Sequence, residues 1–395
     1  MALPPAWKVK RELRRAYEKA KDALALHPAN PLRQLPDRLR QRHHDRNLHR
    51  LLRETPGARP LTARVAVFVL FQPKGIAGST FLTLDHLAQE GWSTLVISNA
   101  PLSEADRTRL AAASGHVIER PNTGYDFGAY REGWRWLHRH GHALDRLILM
   151  NDSTWFPLRM DDTSLKRMEA LNADLAGHIY KTAEFEDMRL DHIESHLLLL
   201  SGKAIEHPAL RAFWSDYLMT NSRMDTIFKG ELSLTHTAQD AGLGVKGLLD
   251  RDQLLGLLTA LSDDQLKAVL ADLPLHTETG QGHRATWLES ATSAGPWRTE
   301  FLAWVREELT SSRDYLLSAA FIEPASQLGG LGFLKKSSDP RFQMARLAFI
   351  KAVDSGRLTS PDPAILSEIR QAIRNWQPPV DWRSDPAERV QLPVH

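Results

Sequence analysis

The sequence predicts an α/β fold built on a Rossmann-type, mostly parallel sheet flanked by helices, with a basic helical leader before it and a helical region after it. Three observations predict this. From Val65 onward, short apolar runs alternate with helical stretches, the pattern of a parallel sheet covered on both faces. The chain has 395 residues, 42% hydrophobic and 25% charged, enough for a large core plus an appendage. Two turn-like stretches, "PNTGYDFGAYREGW" (121–134) and "NDS" (151–153), follow predicted strands, where such a sheet opens toward a ligand.

Residues 1–60 form the leader. "AWKVKRELRRAYEKAKDALALH" (6–27) reads as a helix with Val9, Leu13, Tyr17 and Leu24 on one face, ended by Pro28 and Pro31. A second basic helix is expected from Pro36 to about Leu52, with "TPGARP" (55–60) as a linker. Fifteen Lys/Arg against six Asp/Glu give residues 1–60 a charge of +9, so the remainder carries −7 of the net +2. A basic leader on an acidic body predicts contact with an anionic surface; a solvated helix pair explains the bias equally well. The basic charge is confined to the leader and no base-reading module follows, which argues against a nucleic-acid partner.

Residues 61–250 carry the alternation. "VAVFVLF" (65–71) is a buried strand, "STFLTLDHLAQEG" (79–91) a helix, "STLVISN" (93–99) a strand, and "EADRTRLAAAS" (104–114) a helix. "HVIER" (116–120) is the third strand and "FGAYREGWRWLHRHG" (127–141) a helix with Tyr130, Trp134 and Leu137 on one face. "DRLILMNDS" (145–153) is the fourth strand, and "ADLAGHIY" (173–180) and "SHLLLLS" (195–201) are two more. Residues 251–395 read as mainly helical, with a Pro-rich tail from Pro378.

Much chemistry is excluded. There is no cysteine, hence no disulfide, thiolate nucleophile or Cys-based metal site, in keeping with a cytoplasmic protein. No apolar run approaches a membrane span, and no signal-peptide core opens the chain. The glycines at 124, 128 and 133 do not have dinucleotide-fingerprint spacing, and "QPKGIAGST" (72–80) lacks a Walker A ending.

Several residues remain as candidates. Asp152, at the end of an apolar strand, can hold a divalent cation that neutralises a phosphate, or can cap the next turn. Asn122 and Gly124 suit a left-handed backbone position, and Asp126 can cap the helix starting near Phe127. Glu231 follows Gly230 at an expected helix start, favourable to a carboxylate and open to general-base use. His196 opens a strand and can reach a site mouth, though a satisfied structural histidine is the simpler reading; His178 is read as structural.

Taken in order, "RPNTGYDFGAYREGW", "LILMNDSTWFPL", "SHLLLLS", "FW" and "GELSLTHTAQDAGLGV" resemble the rhamnan synthesis F family of bacterial glycosyltransferases, over about residues 62–250. The resemblance implies a GT-A-like nucleotide-sugar transferase acting in cell-surface polysaccharide assembly, such as rhamnan, O-antigen or capsule. It implies that Asp152 binds Mg2+ or Mn2+ in place of a two-aspartate motif, flanked by Asn151 and Ser153. It implies a donor pocket shaped by Asn122, Gly124, Asp126 and Tyr130, with Phe71, Gln72 and Asn99 near the nucleotide. Glu231 would deprotonate the acceptor hydroxyl, and His196 would contact acceptor or diphosphate. The acceptor would be lipid-linked or a polysaccharide, and the leader would hold the protein at the inner face of the cytoplasmic membrane. The alternative is a scaffold subunit of the assembly complex that has lost turnover.

Overall fold

A computed structural model describes residues 31–182, 184–185, 188–275, 278–292, 295–310, 316–374 and 376. The expected helix over 6–27 and the tail from Pro378 lie outside them. The described strands are β1 (Arg53–Pro56), β2 (Arg64–Leu70), β3 (Ser93–Ser98), β4 (His116–Glu119), β5 (Arg146–Asn151), β6 (Thr154–Trp155), β7 (Leu175–Lys181), β8 (His192–Ile193), β9 (Leu197–Ser201), β10 (Val245–Leu249) and β11 (Leu334–Lys335), apart from the short antiparallel pair of 184–185 with 188–189. Nine of them form one sheet in the order β1-β4-β3-β2-β5-β9-β7-β8, with β10 also on β7.

The centre of this sheet is parallel, β4-β3-β2-β5, as the alternation predicts. Beyond β5 it becomes mixed. The "SHLLLLS" strand β9 runs antiparallel to both β5 and β7, and β10, absent from the sequence reading, pairs parallel with β7. Six strands thus point one way and β1, β8 and β9 the other.

The central strands β2 and β5 are near-continuous apolar runs because both their faces are covered. Val65, Val67 and Val69 of β2 face Phe127, Tyr130, Trp134 and Leu137 of the helix Tyr125–Arg139, with Trp214 beneath. Ala66, Phe68 and Leu70 face Leu84 and Leu87 of the helix Gly78–Gln89 and the C-terminal helices, through Leu254, Leu258 and Phe301. Residues 251–373 therefore complete one face of the core. They also reach the end of the sheet, where β11 pairs with β6 directly after the Asn151–Ser153 turn.

The leader departs from expectation in two places. Its helix spans Pro31–Arg46 and contains Pro36, instead of starting there. The expected linker is in part β1, an edge strand antiparallel to β4. "RETP" has no apolar signature because an edge strand is half solvated, and its proline is tolerated there.

Candidate functional site

β2 and β5 are adjacent while their connections leave in opposite directions, β2 toward β3 and β5 toward β9. This is a topological switch point, and ligands bind in the crevice beyond the strand C-termini at such points. Asp152 stands there. Its Oδ2 accepts from the Phe71 backbone N at 2.9 Å and from Gln72 Nε2 at 3.0 Å, joining the ends of the two strands. Gln72 in turn accepts from Ala77 N at 2.7 Å and bonds Thr80, fixing the entry to the Gly78–Gln89 helix. Phe71 is 51% exposed, an aromatic ring offered to solvent at the crevice.

The Gly-rich turn forms the next wall. Gly124 has φ +76° and is the helix N-cap, and a Cβ there would lie 2.9 Å from Met219 Cβ, so only glycine fits. Asp126 is therefore in the first turn and is not the cap that the sequence predicts. The turn is held from below by Arg120, buried and directly after β4, which donates to Asn99 Oδ1 and to Thr123 O, each at 2.7 Å. Burial lowers the Arg120 pKa to about 10. Asn99 donates to Tyr125 O at 3.2 Å, and Asn221 receives Gly124 N and the Tyr125 hydroxyl. Asn122 is half-buried at the turn, with its Oδ1 buried and without a hydrogen-bond partner among the described residues.

Asp126 and Asn151 connect the two walls. Asn151 Nδ2 donates to Asp126 Oδ2 at 2.8 Å, while Asn151 Oδ1 accepts from Ser153 N and Oγ. Glu231 completes the group. It sits in a π-helical turn, Ile227–Leu232, in the middle of a helical stretch, so the expected helix-start position is corrected. Gly230 lets this turn lie flat on the Phe127 ring, which a Cβ would meet at 2.7 Å. Glu231 Oε1 accepts from Ser195 N and Oγ, and its Oε2 is 3.9 Å from His192 Nε2. Tyr130, fully buried, donates its hydroxyl to Ser195 O at 2.9 Å. Burial, then the charge of Glu231, push the Asp126 carboxyl up to about 6. Burial and Asp126 likewise raise the Tyr130 hydroxyl. The charges of Asp126, Glu231 and Asp152 thus all bear on the buried Tyr130 hydroxyl, and Asn151 hydrogen-bonds Asp126.

His196 does not reach a site mouth. It is 3% exposed, with Nε2 3.0 Å from His178 Nδ1, Nδ1 3.4 Å from Glu194, and its ring 4.4 Å from Phe333. Burial, then Lys335, hold its pKa down to about 4, so it is neutral at pH 7. Its backbone carbonyl, however, receives Asn151 N at 3.2 Å and helps set the turn.

The sequence reading missed Lys336. β11 places it beside Ser153, whose carbonyl receives Lys336 N at 2.7 Å. Its Nζ donates to Ser79 Oγ at 3.3 Å and lies 5.4 Å from the Trp155 ring centroid. Glu368 stands alongside, accepting from Ser79 N at 2.9 Å, Ser79 Oγ at 2.7 Å and Trp155 Nε1 at 2.8 Å. The only hint in the sequence is a polar "KKSS" directly after the apolar "GFL".

A divalent cation fits one donor set here. Asp152 Oδ1 accepts no hydrogen bond among the described residues, and one carboxylate oxygen plus substrate phosphate oxygens suits Mg2+ or Mn2+. The one three-ligand cluster among the described residues, His44, Asp45 and Glu132, lies elsewhere. Arg131 already bridges its carboxylates, at 2.9 Å to Asp45 and 3.2 Å to Glu132, and that positive charge opposes a cation.

Comparison with known proteins bears on this arrangement. Residues 94–272 match the family model described as rhamnan synthesis protein F. Over 216 residues the chain is 32% identical to the uncharacterized protein y4gN of Sinorhizobium fredii (strain NBRC 101917 / NGR234), covering 55% of this chain and 56% of that one. The chain thus spans little more than half the length of this relative. The family match contains Asp126, Asn151, Asp152 and Glu231 and leaves out Phe71, Gln72 and Lys336. Through residues 94–272, the chain is similar to the rhamnan synthesis protein F family.

Proposed function

We propose that the protein is a glycosyltransferase of polysaccharide biosynthesis with a GT-A-like fold. It moves a sugar, rhamnose or another deoxysugar among the candidates, from a nucleoside-diphosphate donor to a polysaccharide or lipid-linked acceptor. The observation that carries this reading is the convergence of Asp126, Asn151, Asp152 and Glu231 at the switch point of a Rossmann-type sheet. The family's name, rhamnan synthesis protein F, supports the substrate class.

The reading assigns each residue a task. Phe71 stacks on the base and Asn99 lines the nucleotide side. The Asn122–Asp126 turn shapes the sugar pocket, with Tyr130 and Asn151 holding Asp126 in place. A divalent cation on Asp152 would supply positive charge to the donor phosphates. Glu231 Oε2 takes the proton of the acceptor hydroxyl, since Oε1 is committed to Ser195. The acceptor oxygen bonds to the sugar C1, and the C1–O bond to phosphate breaks with its electron pair leaving on the diphosphate.

The test is a screen of dTDP-, GDP- and UDP-sugars for binding and for hydrolysis or transfer. Asp152→Asn is expected to lower turnover by ~100-fold or more with an unchanged melting curve. Absence of both binding and turnover across the screen sinks the enzyme reading and leaves the scaffold.

The leader supports a localisation. The helix Pro31–Arg46 exposes Leu35 (49%) and Leu39 (55%) beside exposed Arg38, Arg42 and Arg46. An apolar pair rimmed by arginines suits an anionic bilayer surface, and we propose peripheral docking at the inner face of the cytoplasmic membrane. No helix among the described residues is long and apolar enough to cross a membrane.

A further inference from the structure

We infer that Lys336, delivered by the C-terminal region, is the cationic side chain that contacts the donor's diphosphate as it departs; this rests on the donor reading above. Lys336 lies outside the family match, and geometry alone brings it to the site. In the antiparallel ladder, Leu334 is opposite Trp155 and Lys335 opposite Thr154, so Lys336 falls opposite Ser153, one residue from Asp152.

The turn that presents Lys336 is pinned from beneath. Arg346, 1% exposed, donates through Nη1 to Lys335 O at 2.9 Å and through Nη2 to Ser337 O at 2.6 Å. A guanidinium taken out of water and committed to two carbonyls of one turn fixes the backbone on both sides of Lys336. Such fixing is what preorganised charge stabilisation requires.

The two adjacent lysines are used differently. Lys335 forms an ion pair with Glu194 at 2.7 Å and belongs to the buried network around His196. Lys336 makes no ion pair among the described residues; its Nζ rests on the Ser79 hydroxyl and near the Trp155 ring. Glu368 fixes that seat through Ser79 and Trp155. An ammonium seated on a hydroxyl and flanked by Asp152 has donors left for a further anion. When the C1–O bond breaks, charge grows on the diphosphate oxygen, and Lys336 stabilises it without any proton transfer.

The experiment measures UDP, GDP and dTDP binding by calorimetry, with and without Mg2+, for the parent, Lys336→Met and Lys336→Arg. The diphosphate that the parent binds should bind ~10- to 100-fold more weakly to Lys336→Met, the effect of one charged hydrogen-bond partner. The matching nucleoside should bind all three proteins alike, and Lys336→Arg should recover most of the diphosphate affinity. Equal diphosphate affinity in the parent and a folded Lys336→Met overturns the inference and leaves the donor reading intact. A parent that binds none of the three diphosphates overturns the donor reading itself. If Lys336→Met is unfolded by circular dichroism, Lys336→Gln takes its place under the same criterion.

Discussion

Asp126 holds its proton to higher pH than a surface aspartate, and this has a measurable consequence. Burial, then Glu231, raise it from 3.8 to about 6, against the pull of the Phe127 and Asn151 hydrogen bonds. A carboxyl raised in the folded state favours folding when protonated. Its contribution is complete below about pH 4 and is lost as pH rises through 6. Asp126→Asn removes that loss, so at pH 7 the variant should be more stable by about 1–3 kcal/mol, a gain that vanishes near pH 4. His196 works in the opposite sense over the same interval, because burial holds it neutral and its unfolded form gains a proton as pH falls. The comparison must therefore be the variant-minus-parent difference in urea unfolding between pH 4 and 8. A difference that does not change with pH refutes the assignment.

Among the elements, the π-helical turn Ile227–Leu232 carries the catalytic candidate, and its seat on Phe127 depends on Gly230. Gly230→Ala places a methyl group within 2.8 Å of three Phe127 ring atoms. The expected loss is about 1–3 kcal/mol, with turnover falling more than donor binding because Glu231 is displaced. Unchanged stability and turnover would show that the turn does not hold Glu231. This element also marks how far the sequence can be read. β2 through β5 were legible because doubly covered strands are continuous apolar runs, and Asp152 was legible because it ends one. "IFKGEL" has nothing to distinguish a π turn from an α-helix, since the difference is tertiary contact with Phe127. The reversal of β9 was equally hidden, because its run of four leucines reads the same in both directions. β11 is two residues long, below any periodicity, so the approach of Lys336 to Asp152 left no trace beyond "KKSS".

For the molecule as a whole, the leader is both a charge-bearing appendage and part of the folded body, and that determines how its membrane role can be tested. Gln41 bonds Tyr217 O at 3.1 Å and Met219 N at 2.6 Å, Asp45 pairs with Arg131, and β1 lines the sheet edge. Deleting residues 1–60 would strip all of these contacts, and lost binding could then mean lost structure. Substitutions on the exposed face separate the two. Leu35→Ser with Leu39→Ser removes the apolar pair, and Arg38→Glu with Arg42→Glu reverses two charges; both sets lie away from the docked face. Each pair should leave stability within about 0.5 kcal/mol of the parent. Each should weaken binding to phosphatidylserine-containing vesicles, by ~10-fold or more for the charge reversal at about 1 kcal/mol per basic residue. The arginine contribution should shrink as salt is raised, and the leucine contribution should persist. Anionic-vesicle binding that survives both pairs, or a parent that binds neutral vesicles equally well, would remove the leader from membrane docking and leave Pro31–Arg46 as a clamp on the sheet.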